Sequence, residues 1–491
     1  MKAGGLGEVM FALPRALTKL GYDARLFIPR YAGIDLEKFK LHLELEGLMV
    51  PTGANGDKPT EPSHLTCNIR KYIPDPHGGN GDLPVYTYFL ENAEYYEKRS
   101  NVYGYNDDAI RWALLSRGAL EFLRVKRTWT PDVIVANDWQ TGFLINYLRT
   151  EYKNDPSLSS VATVFMIHNL YYQGMFDHRY VSEMDFDDGR SPLPGFFDPR
   201  LLKMNGMRRG ILSADIINTV SPTYSREIMT KEYGEMLDEL LRERRAHIHG
   251  ILNGIDYTDF DPENDKYIEE NYDVNGLENR IKNKLELQAR FGLPKDKDAA
   301  VISIVSRLTD QKGFDLMFSI TEPLLKELNI QMIVVGSGDA KYMGFFKDLA
   351  DRHPQKIAAH LTFDATLPRL VYGGADMILL PSRFEPCGLS QMEAMRYGVI
   401  PIVRKTGGLA DSVKDYDPKT GKGNGFTFKE FDGLSFALAI TRAYENYRNP
   451  ETWHHIQKQA MMRDFSWYKS AEEYARLFET AIDFRTRTLE G

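Results

Sequence analysis

Ser382-Arg383-Phe384-Glu385-Pro386-Cys387-Gly388-Leu389 follows directly on the apolar run 377–380 and is the strongest local chemical signal in the chain. It sets the carboxylate of Glu385 in a tight turn at the carboxyl end of a predicted strand. Gly388 then opens a helix whose N-terminus can face an anion. An ordinary strand–helix turn with a surface glutamate is the plainer reading of the same residues. The next strand ends in Val403-Arg404-Lys405-Thr406-Gly407-Gly408-Leu409, a second glycine turn before a helix. Two such turns side by side suit a diphosphate better than either does separately. Ser306-Arg307-Leu308-Thr309-Asp310-Gln311-Lys312-Gly313 follows the first strand of the same half. Arg307 offers a planar fork and Lys312 a point charge for two neighbouring phosphates; the alternative is a solvated charged loop. Gly336-Ser337-Gly338 also follows a strand, but a lone pair of glycines more often marks only a turn.

In the first half, Met166-Ile167-His168-Asn169-Leu170 puts a histidine at a strand end, and Asp138-Trp139 follows the strand 133–136. Both would line one cleft from the wall opposite Glu385, although a single histidine is more often structural than catalytic. Lys2-Ala3-Gly4-Gly5-Leu6 reads as a glycine turn opening a helix, a place that favours phosphate. That helix carries Leu6, Val9, Met10, Leu13, Leu17 and Leu20 on one face and ends at Gly21. Such a turn ordinarily follows a strand, so a strand of about 5–6 residues is expected ahead of it, missing from this sequence. Among metal motifs there is no HExxH and no paired CxxC; Asp185-Phe186-Asp187 and Asp415-Tyr416-Asp417 read as surface turns.

These residues need rigid elements to hold them, and the sequence supplies a recurring unit of apolar strand, turn and amphipathic helix. Strands are predicted at 23–28, 85–89, 133–136, 162–167, 215–220 and 247–252, then at 299–305, 331–335, 356–361, 377–380, 400–403 and 425–428. Several are apolar throughout, as strands covered on both faces are. The polar stretch 261–275 interrupts the alternation, which gives two α/β halves and a linker. The expected domains are 1–258, linker 259–276, 277–468, and a C-terminal helix within 469–491 that packs back on the first domain. Ligands of such doubly wound sheets sit beyond the carboxyl ends of the strands.

A length of 491 residues exceeds one ordinary core, and 43% hydrophobic with 26% charged residues is a globular profile. No run approaches the ~18–20 apolar residues of a membrane span, and the start has no apolar secretory core. Two cysteines, Cys67 and Cys387, suit a reducing cytoplasm. A net charge of -8 argues against broad nucleic-acid binding. The 12% of aromatic residues suit sugar stacking, but a large core would use them as well.

Together these strings resemble the bacterial glycogen synthase and plant starch synthase family over nearly the whole chain. The corresponding stretches are 2–9, 138–142, 167–174, 219–228, 250–256, 306–316, 373–404 and 406–413, in the family's order and spacing. The resemblance implies a GT-B fold of two Rossmann-like domains facing across a cleft. It implies a retaining hexosyltransferase that moves glucose from ADP-glucose to the non-reducing end of an α-1,4-glucan such as glycogen, with no cofactor and no metal. It assigns Arg307 and Lys312 to the diphosphate, Glu385 to the transferred glucose, and His168 and Asp138 to the surroundings of that sugar. Lys2, Gly4 and Gly5 match the family's K-x-G-G-L substrate motif, and Asn253, Gly336, Phe363, Cys387, Gly388, Leu389, Thr406, Gly407 and Gly408 match further substrate-binding positions. Glu8 stands where the family has Asp, Asn137 and Gln140 where it has two histidines, and Phe363 where a tyrosine often stacks on adenine. Competing readings are another GT-B transferase, of sucrose or trehalose type or a phosphorylase, and a glucan-binding homologue without turnover.

Overall fold

Runs of β-branched and aliphatic residues form the parallel sheets that the alternation predicts, in a computed structural model describing residues 4–53, 61–74, 84–126 and 129–490. Two units result, one within 1–220, 225–251 and 467–491, the other within 221–224 and 252–466.

The first unit contains two four-stranded sheets. In one, strands β1 (Arg25–Pro29), β2 (His42–Pro51), β3 (His64–Tyr72) and β4 (Tyr86–Glu91) lie in the order β1-β4-β3-β2. Here β1 runs parallel to β4, while β3 is antiparallel to both β4 and β2. Strands β2 and β3 escape the sequence reading because register shifts between Leu43 and Leu48 break their alternation and charged residues stud their outer face. The other sheet, β5 (Val133–Asn137), β6 (Ala162–Ile167), β7 (Ile216–Thr219) and β8 (Ile248–Gly250), is wholly parallel.

Every residue of β6 is buried because both faces of the sheet are covered. Val164 and Met166 join a core with Val9, Leu13 and Leu17 of α1 (Gly4–Lys19) and with Trp467, Ala471, Tyr474 and Leu477 of the C-terminal helix Trp467–Glu490. Phe165, pointing the opposite way, meets Gly210 of α4 (Gly206–Ser213). Between these in sequence lie α2 (Asp108–Lys126) and α3 (Asp138–Arg149). Asp187, expected in a surface turn, is instead buried and fork-bonded to Arg209 by two contacts of 2.8 Å. A charge in that position would be costly alone, and the paired guanidinium explains its burial.

Glu235 and Met236 adopt positive φ values of 48° and 63°, and Met236 is 70% exposed. Left-handed backbone costs a side-chain-bearing residue about 1–2 kcal/mol, part of which glycine returns as chain entropy. Met236→Gly should therefore stabilise the first unit by about 0.5–1 kcal/mol, visible as a higher urea midpoint.

The second unit is one parallel sheet. Its strands are β9 (Ala300–Val305), β10 (Ile330–Val335), β11 (Ile357–His360), β12 (Met377–Leu380), β13 (Ile400–Arg404) and β14 (Phe426–Phe428), in the order β11-β10-β9-β12-β13-β14. The order reverses between β9 and β12, so the loops leaving these two strands diverge and open a crevice. Residues 259–276 carry no strand or α-helix and are tied into this unit. Buried Asp265 accepts from the Tyr397 hydroxyl, and Tyr272 donates to the Tyr397 carbonyl at 2.8 Å. Among the described residues, no helix is long and apolar enough to cross a membrane.

Candidate functional site

The switch point of the second sheet brings together two loops that lie seventy residues apart in sequence. Lys312, after β9, donates from Nζ to Oε2 of Glu385, after β12, at 2.5 Å. Ser382 Oγ donates to the same oxygen at 3.0 Å. Backbone contacts lock the loops: Arg383 N–H donates to the Gln311 carbonyl at 2.9 Å, and the Gln311 amide reaches the Phe384 carbonyl at 3.3 Å. Glu385 is 5% exposed, and no described residue donates to its Oε1, which leaves that oxygen for a ligand hydroxyl. Arg307 is exposed and its guanidinium has no partner among the described residues.

Sequence reasoning took Lys312 as a phosphate ligand and Glu385 as a sugar ligand; the geometry makes them one ion pair. It also missed Ser382, which is fully buried and holds the carboxylate. The three-residue spacing from Ser382 to Glu385 was the available signal, since a serine can bond back to a side chain one turn on.

The glycines also serve the packing of the turns. A β-carbon at Gly336 would collide with the Ser306 carbonyl, at Gly407 with that of Glu385, and at Gly408 with that of Cys387. These residues let neighbouring turns pack backbone to backbone, which places the loops bearing Arg307 and Glu385. Gly388 has φ 70°, and the Gln391 amide donates to its carbonyl at 2.8 Å. Leu389 lies beside it, half-buried, and Thr406 is buried ahead of the helix Gly407–Ser412.

Cys387 is buried, and burial pushes its thiol up to about 12, partly offset by a hydrogen bond from the Asn253 backbone. It is therefore a neutral packing group and no nucleophile. Asn253 itself is 5% exposed, and its Oδ1 has no partner among the described residues, an acceptor buried at a cost unless a ligand donates to it. Phe363 is 86% exposed in the loop after β11, with its ring face open.

In the first unit, Asp138 begins α3 with φ 53°, a strained backbone that aims its carboxylate across the strand ends. Its Oδ1 accepts the backbone N–H of His168 at 2.8 Å and of Asn169 at 3.4 Å. Burial raises the Asp138 carboxyl above its ordinary value, against the pull of His168. The His168 ring meets Asn137 Oδ1 through Nε2 at 2.9 Å, which places its proton on Nε2. Asn137, noted in the sequence only as a departure from the family, is thus what orients the imidazole. Gly4 and Gly5 are the first residues of α1, and space around Gly5 is open. Lys2 lies outside the described residues. Also among the described residues, no group of three or more His, Cys, Asp or Glu is gathered as for a metal ion.

Burial holds the His168 imidazole below its ordinary value, with Asp138 opposing. The folded state then resists protonation, so His168 contributes stability above the unperturbed value of about 6.5 that is lost as the pH falls below it. Thermal midpoints should drop between pH 7 and pH 5, and His168→Asn should flatten part of that slope; an unchanged slope would assign it to other groups.

Two α/β units, the second with the strand order of a Rossmann sheet and a cation–carboxylate pair at its switch point, define a glycosyltransferase of the GT-B fold. Residues 1–243 match the starch synthase catalytic domain model, and residues 286–461 match glycosyl transferases group 1. The chain is 41% identical to a glycogen synthase from Thermotoga petrophila, covering 98% of this chain and 96% of that one. It is 40% identical to one from Clostridium novyi, covering 98% and 97%. The catalytic domain of starch synthase IV from Arabidopsis thaliana, solved with ADP and acarbose, superposes with a TM-score of 0.81 at 29% identity, covering 98% of this chain and 97% of that one. A sucrose-phosphate synthase from Thermosynechococcus elongatus, 16% identical with a TM-score of 0.56 and coverage of 97% and 94%, shares the fold alone. The chain belongs to the glycogen synthase and starch synthase family.

Proposed function

We propose that the protein transfers glucose from ADP-glucose to the non-reducing end of an α-1,4-glucan with retained configuration. The observation that carries this reading is the Lys312–Glu385 pair at the β9/β12 switch point, in a chain 41% identical over its length to a glycogen synthase. The Arabidopsis relative's ADP and acarbose supply the matching ligand classes, a nucleoside diphosphate and an oligosaccharide.

In this reading Arg307 and Lys312 hold the diphosphate and meet the charge that develops as the bond from C1 to phosphate oxygen breaks. Arg307 is suited to it because a planar fork can engage two oxygens, and Lys312 because its ammonium is already fixed. Glu385 Oε1 accepts from a glucose hydroxyl, and Asn253 Oδ1 from another donor of the ligand. His168 and Asp138 are assigned to the transferred sugar. The acceptor 4-hydroxyl attacks C1 on the face that the phosphate leaves, and its proton passes to the departing phosphate oxygen.

The test is incorporation of labelled glucose into glycogen from ADP-glucose and from UDP-glucose. Faster transfer from ADP-glucose, with the α-linked product released by an α-1,4-specific glucanase, is the expected result. Preference for UDP-glucose would overturn the donor assignment, and no transfer from either would overturn the function.

A further inference from the structure

Asp215 carries the negative charge for too many arginines. It lies just before β7, is 4% exposed, and accepts from Arg149 at 2.5 Å. Arg485 reaches its other oxygen at 4.0 Å. Arg244 turns one Nη to the Ala214 carbonyl at 2.5 Å and has no carboxylate partner among the described residues. Arg190 is exposed, and its guanidinium has no partner among them at all.

Three of these arginines, Arg149, Arg190 and Arg244, line a cavity of about 360 Å³ together with Thr150, Ser213 and Glu243. That volume lies at the small end of the range for ligand sites, about 300–1,000 Å³. Two guanidinium nitrogens at this cavity, Arg149 Nη1 and Arg244 Nε, are buried and donate to no described residue. A buried donor without an acceptor is a cost that native structures seldom leave standing. Burial also holds both guanidiniums below their ordinary basicity, the direction expected where counter-charge is short.

Both arginines do have a structural duty. Arg149 ends α3 and donates to the Val161 carbonyl at 3.0 Å, and Arg244 closes the end of α4. Those duties use one nitrogen of each side chain. They leave the fork's remaining donors without a partner among the described residues, and they do not involve Arg190.

We infer that this cavity is a binding site for the phosphate group of a small phosphorylated molecule, at the end of the first unit's parallel sheet remote from His168. Three guanidiniums against the single carboxylate of Glu243 leave the lining net positive, which suits the oxygens of a dianion better than a singly charged carboxylate. The remoteness follows from α3, which begins at Asp138 beside His168 and ends at Arg149, eleven residues or about 16 Å away. The cavity is lined by first-unit residues alone and shares none with the diphosphate site proposed at Arg307 and Lys312.

That second candidate must be silenced for a clean test. In an Arg307→Ala/Lys312→Met/Glu385→Leu background, where apolar groups replace the buried ion pair and keep the fold, titration calorimetry with inorganic phosphate at matched ionic strength should show one saturable site. Arg244→Gln and, separately, Arg190→Gln should each weaken it by about tenfold or more, the loss of one charge-assisted contact. Arg190 is exposed and unpaired, so its variant keeps the fold even if Arg244→Gln does not. A hexose monophosphate run in parallel separates the sources: equal affinity assigns the site to the phosphate group alone, and tighter binding to a phosphate ester. No saturable binding in that background, or binding unmoved by both variants, would overturn the proposal.

Discussion

Lys312→Ala should lower kcat for glucosyl transfer by about 10²–10³-fold, the loss seen when one preorganised charge is removed from a developing anion. Two causes are entangled in that variant. The leaving diphosphate loses a cation, and Glu385, only 5% exposed, loses its partner. Removing one member of a buried pair costs about 3–5 kcal/mol of stability, so a drop in melting temperature accompanies the loss of rate. Pairing Lys312→Met with Glu385→Leu separates the causes, because a buried ion pair replaced by apolar groups is often tolerated. The double variant should recover most of the melting temperature and none of the activity. Recovery of turnover would mean that the pair only fastens two loops together. Lys312→Arg should rescue little, since a wide planar fork does not reproduce a point charge seated 2.5 Å from a carboxylate that Ser382 also holds.

Gly142→Ala should destabilise the first unit by about 3 kcal/mol, the upper end of what one misplaced methyl costs in a packed interior. Gly142 lies on α3 where that helix crosses α4, and a β-carbon there would collide with the Gly206 carbonyl. Gly206 in turn has no room for one beneath the Trp139 carbonyl. Both obstacles are backbone, so relief requires the helices to separate, and rotamer changes cannot supply it. Separation would shift Asp138, the first residue of α3, away from the His168 amide. The measurement is a urea titration followed by circular dichroism, beside Gly5→Ala as a control. Gly5 opens α1 in unoccupied space, so alanine there should be neutral or favourable by up to about 1 kcal/mol. Equal midpoints for the two variants would show that the α3–α4 crossing is looser than the structure has it.

What the sequence determined by itself was the set of strands buried on both faces, β6, β7, β9, β10, β12 and β13, because a continuous aliphatic run between turn residues has few other uses. With them came the positions of Asp138, His168, Arg307, Glu385 and Gly407 after strand ends, since parallel α/β layers put ligands there. Strands β2 and β3 were illegible for the opposite reason: half-exposed, bulged and antiparallel, they carry no run to read. Tertiary structure alone decided who partners whom. Pairing Lys312 with Glu385 depends on β9 and β12 lying side by side, a fact of sheet order that no local pattern encodes. The use of Gly407 and Gly408 as packing points depends on which carbonyl lies above them. The shortage of negative charge around Arg149, Arg190 and Arg244 depends on three separate segments converging on one cavity. Periodicity records how a residue meets solvent and core; contact between distant side chains is set by the assembled sheet.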